Sequence, residues 1–180
     1  MEIMVKKLSS ETEKDFFTLR KDTSCDWCFC TAWHVPTWDG WDKRTALENR
    51  TLREELFRQG RYDGYLLYEN DTPIGWCQCA PLSWFPKLMK QKNFDDEPGT
   101  FVISCLEILP TYRKRGLSRK LLQAVISDLK TRETRRVLAL PVSGKHPDGD
   151  VWTGPASLFE SAGFKVKTKS DDCLTMEFIF

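Results

Sequence analysis

The segment between residues 101 and 130 restricts the fold more than any other part of the sequence. It begins with an almost continuously apolar run, FVISCLEIL, which is typical of a strand covered on both faces. Pro110 ends this strand, and residues 113–116 form a basic turn, RKRG. From Leu117 onward, apolar side chains recur at a spacing near 3.6, which predicts an amphipathic helix. A buried strand that leads through a turn into such a helix predicts an α/β protein.

The basic turn has the properties of a phosphate site. Backbone N–H groups at the start of a helix have no partners within it and lie at the positive end of its dipole, so they favour an anion. Gly116 can adopt a positive φ and lets a ligand approach the backbone, and Ser118 is small enough to leave room in the first helical turn. The turn therefore predicts a phosphorylated small molecule as ligand. The alternative is a solvated turn before an ordinary helix.

Two motifs then identify a family. Arg113-x-x-Gly116-x-Ser118 resembles the acetyl-CoA motif [QR]xxGx[GA] of the GNAT superfamily of N-acetyltransferases, and GPASLFESAGF (154–164) is similar to its later motif lYexxGF. The resemblance implies a central mixed, mostly antiparallel and splayed β-sheet flanked by helices, with acetyl-CoA as co-substrate. It further implies that the pantothenate arm pairs with the strand before Pro110 and that the pyrophosphate binds the amides of the basic turn. The residues so implied to bind acetyl-CoA are Ile108, Leu109, Arg113, Lys114, Arg115, Gly116, Leu117, Ser118 and Phe159.

Acetyl transfer to an amine needs a neutral amine, a polarised thioester carbonyl and a stabilised leaving thiolate. The resemblance implies a carboxylate base on or near the splayed strand, and Glu107 is the only carboxylate within 101–109. Glu107 could instead point to solvent or be held by nearby arginines. Phe159 occupies the position of the tyrosine that commonly protonates the thiolate, so another group or solvent must do so here. Candidate substitutes are Trp152, His146 and Cys105.

Residues 24–42 are rich in tryptophan and cysteine. We predict that Trp33 and Trp38, together with Trp76, line an acceptor pocket, because aromatic faces suit cations and flat apolar groups. A small core under an irregular loop is the alternative. Cys25-x-x-Cys28 has zinc spacing, and Cys77-x-Cys79 could add two sulfurs. Because CxC is unusual for structural zinc and cysteine often acts as a small buried hydrophobe, no metal is predicted.

The rest of the chain is consistent with one domain over residues 1–180. Ser10 and Glu13 have capping-box spacing, which predicts a helix from Ser10. A second helix over 44–59 has Leu52, Leu56 and either Ala46 or Leu47 roughly on one side. The other predicted elements are strands at 3–8, 62–69, 73–79, 136–142, 164–169 and 173–180, a loop or short helical turn within 81–99, and a helix at 156–163.

The composition excludes several partners. Lys and Arg number 27 against 26 Asp and Glu, a net charge of +1, which argues against a nucleic-acid coat or a polybasic membrane anchor. The first residues carry charges where a secretory signal needs an apolar core, and the longest uncharged stretch, 72–86, contains three prolines and is too short to span a bilayer. Seven cysteines without an export signal indicate reduced thiols and a cytoplasmic location. The sequence says nothing about the oligomeric state.

These features together predict an acetyl-CoA-dependent N-acetyltransferase that acts on a primary amine of a small molecule or a peptide. Two alternatives stay open. One is a non-catalytic acyl-CoA-binding or regulatory module on the same fold, which Phe159 favours. The other is a zinc-stabilised interaction domain in which the basic turn is only surface.

Overall fold

A single sheet of seven strands organises the part of the chain that the computed structural model describes, which is residues 2–23, 25–142, 152–170 and 173–180. The strands are β1 (Ile3–Lys7), β2 (Gly64–Glu69), β3 (Thr72–Pro81), β4 (Thr100–Ile108), β5 (Arg136–Ala139), β6 (Lys165–Ser170) and β7 (Cys173–Ile179). Their order in the sheet is β1-β2-β3-β4-β5-β7-β6, with β4 and β5 parallel and every other neighbouring pair antiparallel. The mixed, mostly antiparallel sheet predicted from the sequence is confirmed.

Helices cover both faces of this sheet. The helices are α1 (Glu13–Arg20), α2 (Ala46–Arg58), α3 (Pro86–Lys92), α4 (Leu117–Lys130) and α5 (Ala156–Ser161). On one face, α4 buries its apolar stripe, including Leu121 and Val125, in a cluster with Leu106 of β4 and Phe159 of α5. On the opposite face, α1 and α2 contribute Phe16 and Phe57 to a second apolar cluster.

The strands β4 and β5 pair over only part of their length. Their pairing runs from Thr100 opposite Arg136 to Ile103 opposite Ala139, whereas β4 continues to Ile108. At this point the register of β4 against β3 shifts and leaves Ser104 as an extra residue, which is a β-bulge. Because a bulge bends the strand that carries it, the second half of β4 diverges from β5 and leaves a gap, which we call the β4–β5 gap. This is the predicted splay.

Two helix predictions need correction. The first helix begins at Glu13, not Ser10, because Ser9 and Thr12 form a turn in which the Thr12 N–H donates to the Ser9 carbonyl at 3.0 Å. In α2, Leu47 is 72% exposed, while Asn49 is fully buried. The buried face of α2 is therefore more polar than the leucines of the helix indicate. Among the described helices, none combines the length and apolar character that a membrane span requires.

Candidate active site

The turn before α4 presents backbone amides at a helix start. Gly116 is the residue before the helix and has φ +72°, and apart from its two chain neighbours no described residue has an atom within 4 Å of the position that a Cβ would take there. Gly116 has no side chain with which to cap these amides. Leu117 is buried and fixes the helix on the sheet, while Lys114 and Arg115 are exposed. The arrangement leaves first-turn N–H groups open to an anion beside exposed cations.

The arginines of the turn also have internal roles. The Arg113 Nε donates to the carbonyl of Ile108 at 3.0 Å and so holds the turn against the end of β4. Arg115 pairs with Glu69 at the end of β2. The basic turn is thus attached to the sheet on two sides, with its amides next to the β4–β5 gap.

The backbone of β4 decides which residues face this gap. Leu109 donates its N–H to the Ile74 carbonyl at 3.0 Å, and therefore faces β3. Since backbone groups alternate sides along a strand, Leu106 and Ile108 face the gap. The predicted pairing of Leu109 with the pantothenate arm does not fit this geometry. Leu106 is the other residue of this part of β4 whose backbone faces the gap, and the two-residue period of strand backbones could have identified it from the sequence.

A segment of chain lies across the gap. The Leu106 N–H donates to the Trp152 carbonyl at 2.8 Å, and the Val142 N–H donates to the Gly154 carbonyl at 3.3 Å. Val142 and Pro155 form an isolated parallel bridge. Residues 152–155 therefore lie between β4 and the chain that follows β5. The predicted candidate His146 lies outside the described residues.

Glu107 lies on the α1 face of β4 and is 7% exposed. Its Oε2 accepts from the Nη2 of Arg20 at 2.9 Å, and Arg20, at the end of α1, is 1% exposed. The Arg20 Nη1 also lies 3.6 Å from the Cys30 sulfur, which is 3.7 Å from the Cys105 sulfur. Beside the gap, the structure therefore gathers a buried carboxylate, a buried guanidinium and two thiols.

The sequence matches the model of the Acetyltransferase (GNAT) family over residues 26–147. The chain belongs to this family. GNAT acetyltransferases use acetyl-CoA as co-substrate, which is therefore the co-substrate of this chain. No curated protein sequence matches the chain.

Solved structures of acetyltransferases share the fold over the whole chain. The PaiA N-acetyltransferase of Thermoplasma acidophilum, in complex with coenzyme A, is 17% identical, with all of both chains covered and a TM-score of 0.59. The ribosomal-protein-S18-alanine N-acetyltransferase of Escherichia coli is 13% identical, covering 99% of this chain and 94% of that one, with a TM-score of 0.59. An acetyltransferase of Thermus thermophilus is 14% identical, covering 100% and 98%, with a TM-score of 0.58.

The groups considered as proton donors in this GNAT site differ in exposure. Phe159 is fully buried on the α4 face and packs against Phe164, with ring centroids 5.3 Å apart. Trp152 is 47% exposed, and its carbonyl accepts a hydrogen bond from the Leu106 N–H in the gap. The hydrogen bond with Cys30, together with burial, raises the pKa of Cys105 well above its ordinary value. Cys105 is therefore a protonated thiol at neutral pH and a weak acid.

The three tryptophans predicted for the acceptor pocket do not lie together. Trp33 and Trp38 are in edge contact, with ring centroids 5.1 Å apart, and Trp38 is 41% exposed. Trp76 instead packs on Phe16 at 4.8 Å and is fully buried under α1, so its ring offers no surface to an acceptor. The prediction that Trp76 lines the acceptor pocket is therefore wrong.

The four cysteines considered for zinc lie in two separate environments. Cys77 and Cys79 are buried in the cluster on the α4 face, whereas Cys25 and Cys28 are partly exposed in the loop after α1. Among the residues described, no group of three or more His, Cys, Asp or Glu side chains is arranged to hold a metal ion.

A buried polar network holds the Cys30 loop in place and was not foreseen from the sequence. Arg53 of α2 donates to the carbonyls of Phe29 at 3.0 Å and Cys30 at 2.8 Å, two residues with positive φ. Its Nη1 also pairs with Asp63, which bonds to His34 at 2.9 Å. Burial alone would raise the pKa of Asp63, but Arg53 and the hydrogen bonds hold it well below its ordinary value. The network fixes the backbone that presents Cys30 to Arg20.

Proposed function

We propose that the protein transfers the acetyl group of acetyl-CoA to a primary amine of a small molecule or a peptide. One observation carries the proposal: the open amides of the α4 turn lie next to the gap-facing end of β4, with buried Glu107 on the same strand. A diphosphate bound at Gly116 would direct its thioester arm along Ile108 and Leu106. In this arrangement the reactive carbonyl would lie beside the Glu107 carboxylate.

The chemistry assigns a role to each of these groups. The neutral amine attacks the thioester carbonyl carbon, the new C–N bond forms, and the C–S bond breaks to release the CoA thiolate. Glu107, held by Arg20 at 2.9 Å, takes the proton that the amine loses, directly or through water. The Leu106 N–H faces the gap and can donate to the carbonyl oxygen once the Trp152 carbonyl has moved away. Solvent protonates the thiolate, because Phe159 carries no proton to give.

Two further lines support this function. The names of two similar structures, PaiA N-acetyltransferase and ribosomal-protein-S18-alanine N-acetyltransferase, describe transfer to nitrogen. Six cysteines in the described residues are free thiols, which supports the reducing, cytoplasmic location that we propose.

Substitution of Gly116 tests the cofactor site. We expect Gly116→Asp to weaken CoA binding, measured by isothermal titration calorimetry, by roughly 100-fold, because like charges brought together cost several kcal/mol. Gly60→Asp is the matched control, since Gly60 also has a positive φ, +74°, and open space within 4 Å of where a Cβ would lie, but follows α2 instead. Gly116→Asn should bind better than Gly116→Asp, because it keeps the left-handed backbone without the charge. Equal binding by all three variants would refute the site.

The competing function is a non-catalytic acyl-CoA-binding module, which Phe159 and the pairing of Glu107 with Arg20 favour. Thiol release from acetyl-CoA, followed with a panel of primary amines, separates the two. Release with any amine that falls at least tenfold in Glu107→Gln supports transfer. CoA binding without amine-dependent release across the panel would support the binding module.

A further inference from the structure

Three tryptophan rings surround the ammonium of a lysine on α3. The Lys87 Nζ lies 3.4 Å from the ring centroid of Trp38, 5.5 Å from that of Trp33 and 5.8 Å from that of Trp41. All three distances are within the reach of cation–π attraction, which extends to about 6 Å. Trp38 also contacts both other rings, at 5.1 and 6.0 Å. We call these three side chains the tryptophan box.

The box provides aromatic faces to this ammonium but no hydrogen-bond acceptor. Lys87 is 7% exposed, and its Nζ is buried without a hydrogen-bond partner in the described part of the chain. A primary ammonium carries three N–H donors, and a buried donor left unpaired is unfavourable. Burial also lowers the pKa of Lys87 to about 8, because the charged form loses solvation there. Lysine is therefore an imperfect occupant of the box.

An ammonium without N–H donors suits this environment better. A quaternary ammonium keeps the charge that the ring faces attract and presents methyl groups, which need no hydrogen-bond acceptor. One wall of the box reaches the surface, because Trp38 is 41% exposed. The loop does not depend on Lys87 alone for its position, since the Trp38 Nε1 donates to the Gln91 Oε1 at 2.6 Å.

We propose that the tryptophan box is a binding site for a quaternary ammonium group and that Lys87 fills it in the unliganded protein. The site lies on the α1 face of the sheet, since Trp33 packs with Val102 and Leu138. The proposal goes beyond acetyl transfer and does not depend on it, because binding to the box requires neither acetyl-CoA nor Glu107.

The test removes the Lys87 ammonium from the box and supplies a quaternary ammonium ion from solution. Lys87→Ala is titrated with tetramethylammonium chloride, with sodium chloride at equal ionic strength as the blank, and binding is followed by tryptophan fluorescence. We expect a saturable change with a Kd on the order of 10–100 mM, the range that cation–π attraction alone supports. In the native protein and in the control Lys90→Ala, whose lysine is exposed on the same helix, the apparent Kd should be at least roughly tenfold higher.

Two further ligands and one further variant test whether the ligand binds through its charge or only by filling the space that Lys87 leaves. Neutral tert-butanol, of similar size, should bind Lys87→Ala at least roughly tenfold more weakly than tetramethylammonium, and so should ammonium, which brings N–H donors. Lys87→Ala combined with Trp38→Ala should lose the response. Equal binding of tert-butanol, equal affinity in native protein and Lys87→Ala, or no saturation in a variant with native circular dichroism would each overturn the proposal.

A measurement on the native protein keeps the test valid should Lys87→Ala not fold. The Lys87 Nζ lies over the Trp38 ring, so we expect the methylene protons next to it to resonate upfield of those of exposed lysines in the proton NMR spectrum. Tetramethylammonium should return them toward the exposed position as it displaces the side chain. Unmoved resonances at saturating salt, or resonances that start at the exposed position, would contradict the assignment.

Discussion

The buried pair of Arg20 and Glu107 allows a quantitative test of the site. Both side chains are at most 7% exposed, and their closest atoms are 2.9 Å apart. At an effective dielectric constant of about 20, the Coulomb attraction at this distance is about 6 kcal/mol. Desolvation of the two charges offsets part of this value, and breaking such a pair by removing one partner costs about 3–5 kcal/mol. We expect Arg20→Met to lower the free energy of unfolding by that amount.

A double-mutant cycle isolates the pair from the packing of Arg20. Glu107→Gln alone leaves the guanidinium buried without its carboxylate and should also destabilise. The double variant leaves no unpaired charge, so its loss should be smaller than the sum of the single losses by about 2 kcal/mol or more. Urea unfolding followed by circular dichroism gives all four free energies. Additive losses would show that the two charges are not coupled, and would remove the positioning role that we assign to Arg20.

Two other predictions concern stability. Gly64→Ala should cost about 3 kcal/mol, because a Cβ there would lie 2.3 Å from the Cys77 carbonyl oxygen and 2.5 Å from the Trp76 ring; an unchanged urea midpoint would contradict the packing. Asp63 has a pKa below its unfolded value of about 3.9, so its contribution to stability is complete above that pH and is lost as the pH falls below it. Unfolding free energies measured between pH 7 and pH 3 should therefore fall less steeply in Asp63→Asn than in the native protein, and equal slopes would refute the assignment.

The elements predicted well are those whose signals are local. The apolar stripe of α4, the run FVISCLEIL and the turn between β2 and β3 each occupy a short window, and the structure has each of them within a few residues of the prediction. The turn residue Gly116 was also identified from its neighbours alone, and it has the positive φ expected of it. Local backbone chemistry determines these features, so one sequence suffices to find them.

Partners distant in the chain were not predictable in the same way. Arg20 and Glu107 are 87 positions apart, and nothing near either residue indicates the other. Arg53 likewise reads as a polar residue of an amphipathic helix, whereas it is fully buried and bonds to Phe29 and Cys30. The same holds for Lys87, which follows a proline in a region predicted only as a loop or short helical turn. Such contacts depend on how the elements pack, which local patterns do not contain.

The bulge in β4 explains why the site residues could be named but not placed. Ile103 faces α4, and strict alternation from there would send Glu107 to that same apolar face. The extra residue, Ser104, donates to Gln78 on the α1 face, and Cys105 then faces the same side. Every later residue of β4 therefore lies on the face opposite to the one that strict alternation predicts, and Glu107 pairs with Arg20. The gap begins at the same point, where β4 stops pairing with β5. A single unpaired residue thus both separates the strands and turns the carboxylate toward Arg20.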